Sequence, residues 1–222
     1  RHMAQYGARF LDYLNERSLA AGRGVAFDSG HREEVLMSVW LHDIGKLVTP
    51  LEVMNKMHRL LPEQYADFVH RMEVVRLRGE IDRLSGRMTL EEAGQLMADT
   101  QEAQALVDAI NGCGFVTDDK LAALDELGRR TYRDSDGSRK SWLTPAEYAM
   151  LSIRRGTLSD QERAVMEDHV AVTGKLLDQI EFSEDLSHVA QWASSHHELL
   201  NGSGYPNHLT GDSIPPEVRI IT

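Results

Sequence analysis

Leu41-His42-Asp43-Ile44-Gly45-Lys46 closes an apolar run that begins near Arg32, and its reading decides the fold. A histidine and an aspartate side by side at the end of an apolar helix have few purely structural uses. Leu36, Val39, Trp40 and Asp43 are spaced to share one helical face, and Met37, Leu41 and Ile44 make the segment from Arg32 to Ile44 apolar nearly all round. Such a helix is expected to be buried, and an aspartate on it is costly unless paired or bound to a cation. A neutral imidazole beside an ionised carboxylate suits a first-row transition metal. Gly45 ends the helix, and Pro50 prevents a simple continuation.

Working outward, residues 3–20 read as a helix carrying Tyr6, Phe10, Tyr13 and Leu14 at helical spacing. Past Pro50 the composition shifts to long, charged, helix-forming segments. One helix is expected from about Leu60 to Leu84. A second opens at the capping box Thr89-Leu90-Glu91-Glu92 and reaches Ile110, so the two form an antiparallel hairpin around Gly86. A short helix over Asp118–Gly128 and a polar loop over 134–138 follow. Thr144-Pro145-Ala146-Glu147 and Ser159-Asp160-Gln161-Glu162 each open a further helix. The second of these sets Val165, Met166, His169, Thr173, Leu176, Leu177 and Ile180 on one stripe. The next helix is expected to run through Leu186, Val189, Ala190, Ala193, His196, His197 and Leu200. No strand is expected, and the fold class is all-α.

With 222 residues and 41% apolar content the chain can build a real core. A net charge of −11 argues against DNA, RNA or anionic membranes as broad partners, so an anionic substrate would need local cations. Cys113 is the single cysteine, which excludes an intrachain disulfide and fits a reducing, cytoplasmic setting. No apolar run is long enough to insert in a membrane, and no signal peptide is visible. The chain reads as a piece of a longer protein, and Arg1-His2-Met3 also reads as a cloning remnant.

A lone histidine on an apolar face is more often a hydrogen-bonded core residue than a ligand. His58, His70, His188 and His208 are read that way, and His31 as a helix-capping residue. His42, His169, His196 and His197 with Asp43 are different, because burying that many titratable groups without a cation is expensive. His2, one helix upstream, is a fifth candidate imidazole. Adjacent residues on a helix diverge by about 100°, so His196 and His197 are expected to reach different ions, with Asp43 bridging. Two ions about 3.5–4 Å apart are the usual arrangement for hydrolysing phosphate esters with a hydroxide nucleophile. Ligands rich in histidine and carboxylate fit iron or manganese, and nickel and zinc are also compatible.

His42-Asp43 with Gly45-Lys46, then His169, His196-His197-Glu198 and Gly204-Tyr205-Pro206, resembles the HD-GYP family of cyclic-dinucleotide phosphodiesterases. Pro50, Gly156-Thr157-Leu158 and Asn201-Gly202-Ser203-Gly204 extend the likeness. It covers residues 1–57 and 144–222, and 58–143 is read as a helical insertion within an HD-domain helical bundle. The resemblance implies hydrolysis of cyclic di-GMP to linear pGpG, sometimes onward to GMP, in bacterial signalling. It also implies two or three divalent metal ions held by His2, His42, Asp43, His169, His196 and His197. Asp43 and Lys46 would be catalytic, with Lys46 near a substrate phosphate or the leaving oxygen, and Gly204 and Tyr205 would flank the substrate. For Tyr205 a turn-forming role stands at even odds with a functional one. The family's further aspartate and phosphate-clamping cations fall beyond Thr222. Two rivals stand beside this reading: another cyclic dinucleotide or nucleotide as substrate, and a catalytically silent ligand-binding module. The insertion is a candidate for homodimer contacts, or for contact with a sensory or receiver domain of the parent protein.

Overall fold

The computed structural model describes residues 2–222, the imidazole of His2 lying outside the described residues. In chain order the helices are α1 (His2–Ala20), α2 (Ser29–Leu41), α3 (Leu51–Met54), α4 (Pro62–Leu84), α5 (Leu90–Asn111) and α6 (Asp118–Arg129). A hairpin of β1 (Thr131–Arg133) and β2 (Arg139–Ser141) follows, then α7 (Pro145–Leu151), α8 (Asp160–Leu177), α9 (Val189–Ala193) and α10 (Pro216–Ile221). The all-α class holds, with that small sheet as its exception. No described helix is long and apolar enough to cross a membrane. The chain divides into two compact units, Arg1–Met54 with Glu162–Thr222, and Asn55–Gln161.

In the first unit α2 is central, flanked by α1, α9 and α10. Asp28 caps it by accepting from the His31 amide at 2.9 Å. Val35 and Val39 of α2 build the core with Leu11, Phe27, Trp192, Ile214, Val218 and Ile221. The segment expected to be buried nearly all round is buried on one side only, and α1 buries a side other than its aromatic one. Tyr6, Phe10 and Tyr13 stay exposed while Leu11 is fully buried. A Cβ on Gly7 would lie 3.6 Å from Leu36, so the small residue lets α2 approach on the side of Leu11 rather than the aromatic side. Trp40 is likewise exposed, and the buried side of α2 is Glu34, Val35, Ser38 and Val39. Glu34 is tolerated inside because it accepts from the His188 amide at 2.6 Å and faces His188 Nδ1 at 3.1 Å. His31 is not the cap; its Nε2 meets Glu217 Oε1 at 2.9 Å.

The second unit is built on α4 and α5, which lie antiparallel: Tyr65 donates to Asp108 and, farther along, Arg76 donates to Thr100 at 2.8 Å. Thr89 and Glu92 form the expected capping box, as do Thr144 and Glu147. Phe68, Met72, Val75, Val107 and Ile110 pack with Leu124, Trp142, Leu143 and Leu151 in one core. Thus α7 belongs with this unit through Leu151. Arg59 is fully buried, and its guanidinium donates to the carbonyls of Ile110 at 2.6 Å, Cys113 at 2.7 Å and Ile153 at 2.9 Å. The expectation of no strand is corrected by the hairpin, which pairs Thr131 with Ser141, Tyr132 with Lys140 and Arg133 with Arg139. Three-residue strands are too short to show alternation. The polar loop between them is their turn, closed by Asp134 N–H donating to Ser138 O at 2.8 Å, with Gly137 at φ +81°.

Candidate metal centre

The site is assembled in the first unit, from the turn after α2, the middle of α8 and the segment after α9. Helix α2 ends at Leu41, with His42 as its C-cap, and Asp43 precedes a 3₁₀ turn over Ile44–Val48. The helix therefore stops short of Ile44, where the sequence had continued it. Gly45 explains the turn: a Cβ there would fall 2.0 Å from the His169 carbonyl and 2.8 Å from Thr173 Oγ1. Thr173 accepts from the Gly45 amide at 3.0 Å and donates to the His42 carbonyl at 3.1 Å. On α8 the buried face is His169, Val170, Thr173 and Leu177, whereas Val165 and Leu176 are exposed.

The expected continuous helix through His196 and His197 is corrected. Helix α9 stops at Ala193, where the backbone tightens to bonds three residues back: Ser195 N–H donates to Trp192 O at 3.2 Å and Glu198 N–H to Ser195 O at 2.9 Å. His196 and His197 sit in the turn that follows, so the 100° divergence expected of helical neighbours does not govern them. Their ring centroids are 4.3 Å apart.

Asp43 lies among the imidazoles. Its Oδ1 is 3.4 Å from His169 Nε2 and 3.6 Å from His196 Nε2, and its Oδ2 is 3.3 Å from His42 Nε2 and 2.8 Å from Lys46 Nζ. The far nitrogen of three rings is occupied by the carbonyl three residues earlier: His42 Nδ1 with Val39 O at 2.8 Å, His196 Nδ1 with Ala193 O at 2.7 Å, and His169 Nδ1 with Met166 O. A carbonyl only accepts, so each Nδ1 carries the proton and, in the neutral ring, each Nε2 presents a lone pair inward. Asp43 Oδ1, His169 Nε2 and His196 Nε2 are buried without a hydrogen-bond partner. Lone pairs gathered in this way repel unless a cation lies among them, and fixing Nδ1 on a carbonyl is how proteins orient metal-ligating histidine. Among the described residues two trios have ligand atoms within 4.8 Å of one another: His169, His196 and His197, and His42, Asp43 and His196. His196 belongs to both. The residues present fit a metal.

Residues 141–222 match the family model described as HD domain. That segment carries His169, His196 and His197, with His42 and Asp43 lying upstream of it. Over 66 residues, 29% of this chain and 12% of the relative, the sequence is 44% identical to 3′3′-cGAMP-specific phosphodiesterase 2 of Vibrio cholerae serotype O1. It is 37% identical over 67 residues to 3′3′-cGAMP-specific phosphodiesterase 3 of the same organism, covering 30% of this chain and 14% of that one. The chain therefore spans a small part of the length of the curated relatives it matches. No solved structure matches it.

Ionisation follows from the packing. Burial opposes the charge on Asp43, but His196, His42 and Lys46 outweigh it and hold the carboxyl well below the usual range. The hydrogen bond to Asp43 raises His42. Burial lowers His169 and, with His196 and His169 beside it, pushes His197 down to about 4. These last two rings are thus neutral and ready to donate lone pairs at pH 7. Tyr205 stacks on His197, centroids 4.7 Å apart, and burial with nearby Glu167 and Asp43 raises its phenol to about 12. It remains a donor at neutral pH. Gly204 is buried: a Cβ there would fall 2.3 Å from Leu199 N and 2.5 Å from His197 O, so it lets the loop lie flat on the histidine turn. Glu198, 2% exposed, anchors the loop by accepting from the amides of Asn207 at 2.6 Å and Leu209 at 2.8 Å.

Thr173 lies on the stripe that the spacing of α8 marks as apolar, and Glu198 falls within the His196-His197-Glu198 motif, so neither stands out by sequence pattern as holding a loop or turn in place. The available signal was a polar residue one helical turn beyond His169 on the same inward face. A cleft of about 360 Å³ beside the site is lined by Val48, Thr49, Pro50, Val165, Asp168 and His169.

Proposed function

We propose that this chain is the catalytic part of a metal-dependent phosphodiesterase that opens a cyclic dinucleotide, with cyclic di-GMP as substrate and linear pGpG, in part cleaved on to GMP, as product. The observation that carries this reading is the trio of buried, partnerless ligand atoms, Asp43 Oδ1, His169 Nε2 and His196 Nε2, turned toward one another. His42, Asp43, His169, His196 and His197 would hold the ions, His196 serving one ion only because its Nδ1 is taken by the Ala193 carbonyl, and iron or manganese best suits such ligands. Divalent ions bound there supply Lewis acidity toward phosphoryl oxygens and a hydroxide nucleophile near neutral pH. Lys46 fixes Asp43 through Oδ2 and offers an ammonium at the half-exposed rim, where charge develops on the departing ribose oxygen. Tyr205 holds a phenolic proton next to His197 for a phosphate or ribose oxygen. With a net charge of −11, little but the site itself attracts a dianion.

A second reading, 3′3′-cGAMP as substrate, is favoured by the names of the two Vibrio relatives. Residues 58–143, which lie within the unit Asn55–Gln161, are read as an insertion that serves contacts with a second copy or with a sensory or receiver domain of the parent protein. Metal analysis of protein purified without added metal, followed by turnover of cyclic di-GMP, 3′3′-cGAMP and cyclic di-AMP, tests the reading. Bound iron or manganese with a linear product from a guanine-containing substrate is expected. Protein that binds no divalent metal and cleaves none of the three refutes it, and preferential cleavage of 3′3′-cGAMP selects the second reading.

A further inference from the structure

We infer that Thr173 is a positioning residue that sets the spacing of the metal ligands, an inference resting on the proposed metal site. The ligands come from chain segments more than a hundred residues apart, yet a metal tolerates errors of only about 0.2 Å in ligand distance. Something must hold the Asp43 turn to α8. Thr173 follows His169 by one helical turn, so both side chains leave α8 on the same face. Its hydroxyl accepts from the Gly45 amide at 3.0 Å and donates to the His42 carbonyl at 3.1 Å, gripping the backbone on either side of Asp43. Thr173 is fully buried. Gly45 supplies the complementary surface, bare enough for the two backbones to meet. One hydroxyl thereby ties the His42-Asp43 pair to the helix that carries His169.

The test compares Thr173→Val, which keeps the shape and removes the hydroxyl, with Thr173→Ser, which keeps the hydroxyl. Manganese affinity is measured by calorimetry on the full chain, and the melting temperature is measured without metal. The expected result is at least a tenfold loss of affinity in Thr173→Val, in the range of outer-shell mutations, and restoration to within about threefold of wild type in Thr173→Ser. A folded Thr173→Val with wild-type affinity overturns the inference. Should that variant fail to fold, Thr173→Cys replaces it, since a thiol is a weak donor of similar size, and unchanged affinity there overturns the inference equally. Wild-type protein that binds no manganese sinks the metal site itself, whereas wild-type binding with insensitive variants sinks only the role of Thr173.

Discussion

Gly45→Ala is the most demanding single perturbation of this site. The added Cβ would stand 2.0 Å from the His169 carbonyl, and ordinary contact begins near 3.4 Å, so the turn and α8 must separate by about 1.4 Å. The obstacle is backbone on one side and backbone on the other, so no side chain can swing away. Overpacking of this kind costs about 1–3 kcal/mol, and the Gly45 hydrogen bond to Thr173 is strained as well. For a chain of 222 residues that is a fall of roughly 2–12 °C in the metal-free melting temperature. The separation acts directly on the 3.4 Å gap between His169 Nε2 and Asp43 Oδ1. It exceeds several times over the roughly 0.2 Å that metal coordination tolerates. Metal content by plasma mass spectrometry should therefore fall below half of wild type even well under the new melting temperature. A Gly45→Ala protein that melts within a degree of wild type and carries full metal would refute the claim that this close approach builds the site.

Other outcomes follow from the same geometry. His196 Nε2 is buried without a partner where the two trios overlap, so His196→Ala should lose more metal than His42→Ala or His197→Ala; equal retention in all three would contradict that central place. In metal-free protein His197 titrates near 4 against an ordinary 6.5, so between those values the unfolded chain binds a proton that the folded one refuses. Its contribution makes stability fall as pH drops from 6.5 toward 4, while the raised His42 works the other way. Thermal melts across that window should be less acid-sensitive in His197→Gln than in wild type. Glu198→Ala removes the acceptor of the Asn207 and Leu209 amides, and hydrogen exchange at both should accelerate before the helices lose protection. Thr89→Ala removes a cap far along the chain from the metal ligands and should cost about 1 kcal/mol with no change in metal content.

The helices were legible where local signals are strong. Capping boxes at Thr89 and Thr144 fix their own helices, and the charged stretch from Pro62 had no alternative to a helix. The inward turn of His42, His169, His196 and His197 was legible because buried imidazoles need a reason. Faces were harder. On α1 the aromatic positions and the Gly7–Leu11 side both carry helical spacing, and only the approach of α2 chooses between them. The break after Ala193 is a switch to backbone bonds three residues back, which the apolar spacing through His196 and His197 does not distinguish from helix continuation. The grip of Thr173 on the Asp43 turn joins positions 128 and 131 residues apart, beyond any local rule.

Arg59 has a topological consequence. Its guanidinium joins residue 59 to the Ile153 carbonyl at 2.9 Å, and nearby the Thr157 hydroxyl donates to the carbonyl of Lys56 at 2.8 Å. The incoming and outgoing strands of Asn55–Gln161 are thus stitched together within the unit itself. Both ends of the unit are fixed by its own side chains, one through a guanidinium and one through a hydroxyl.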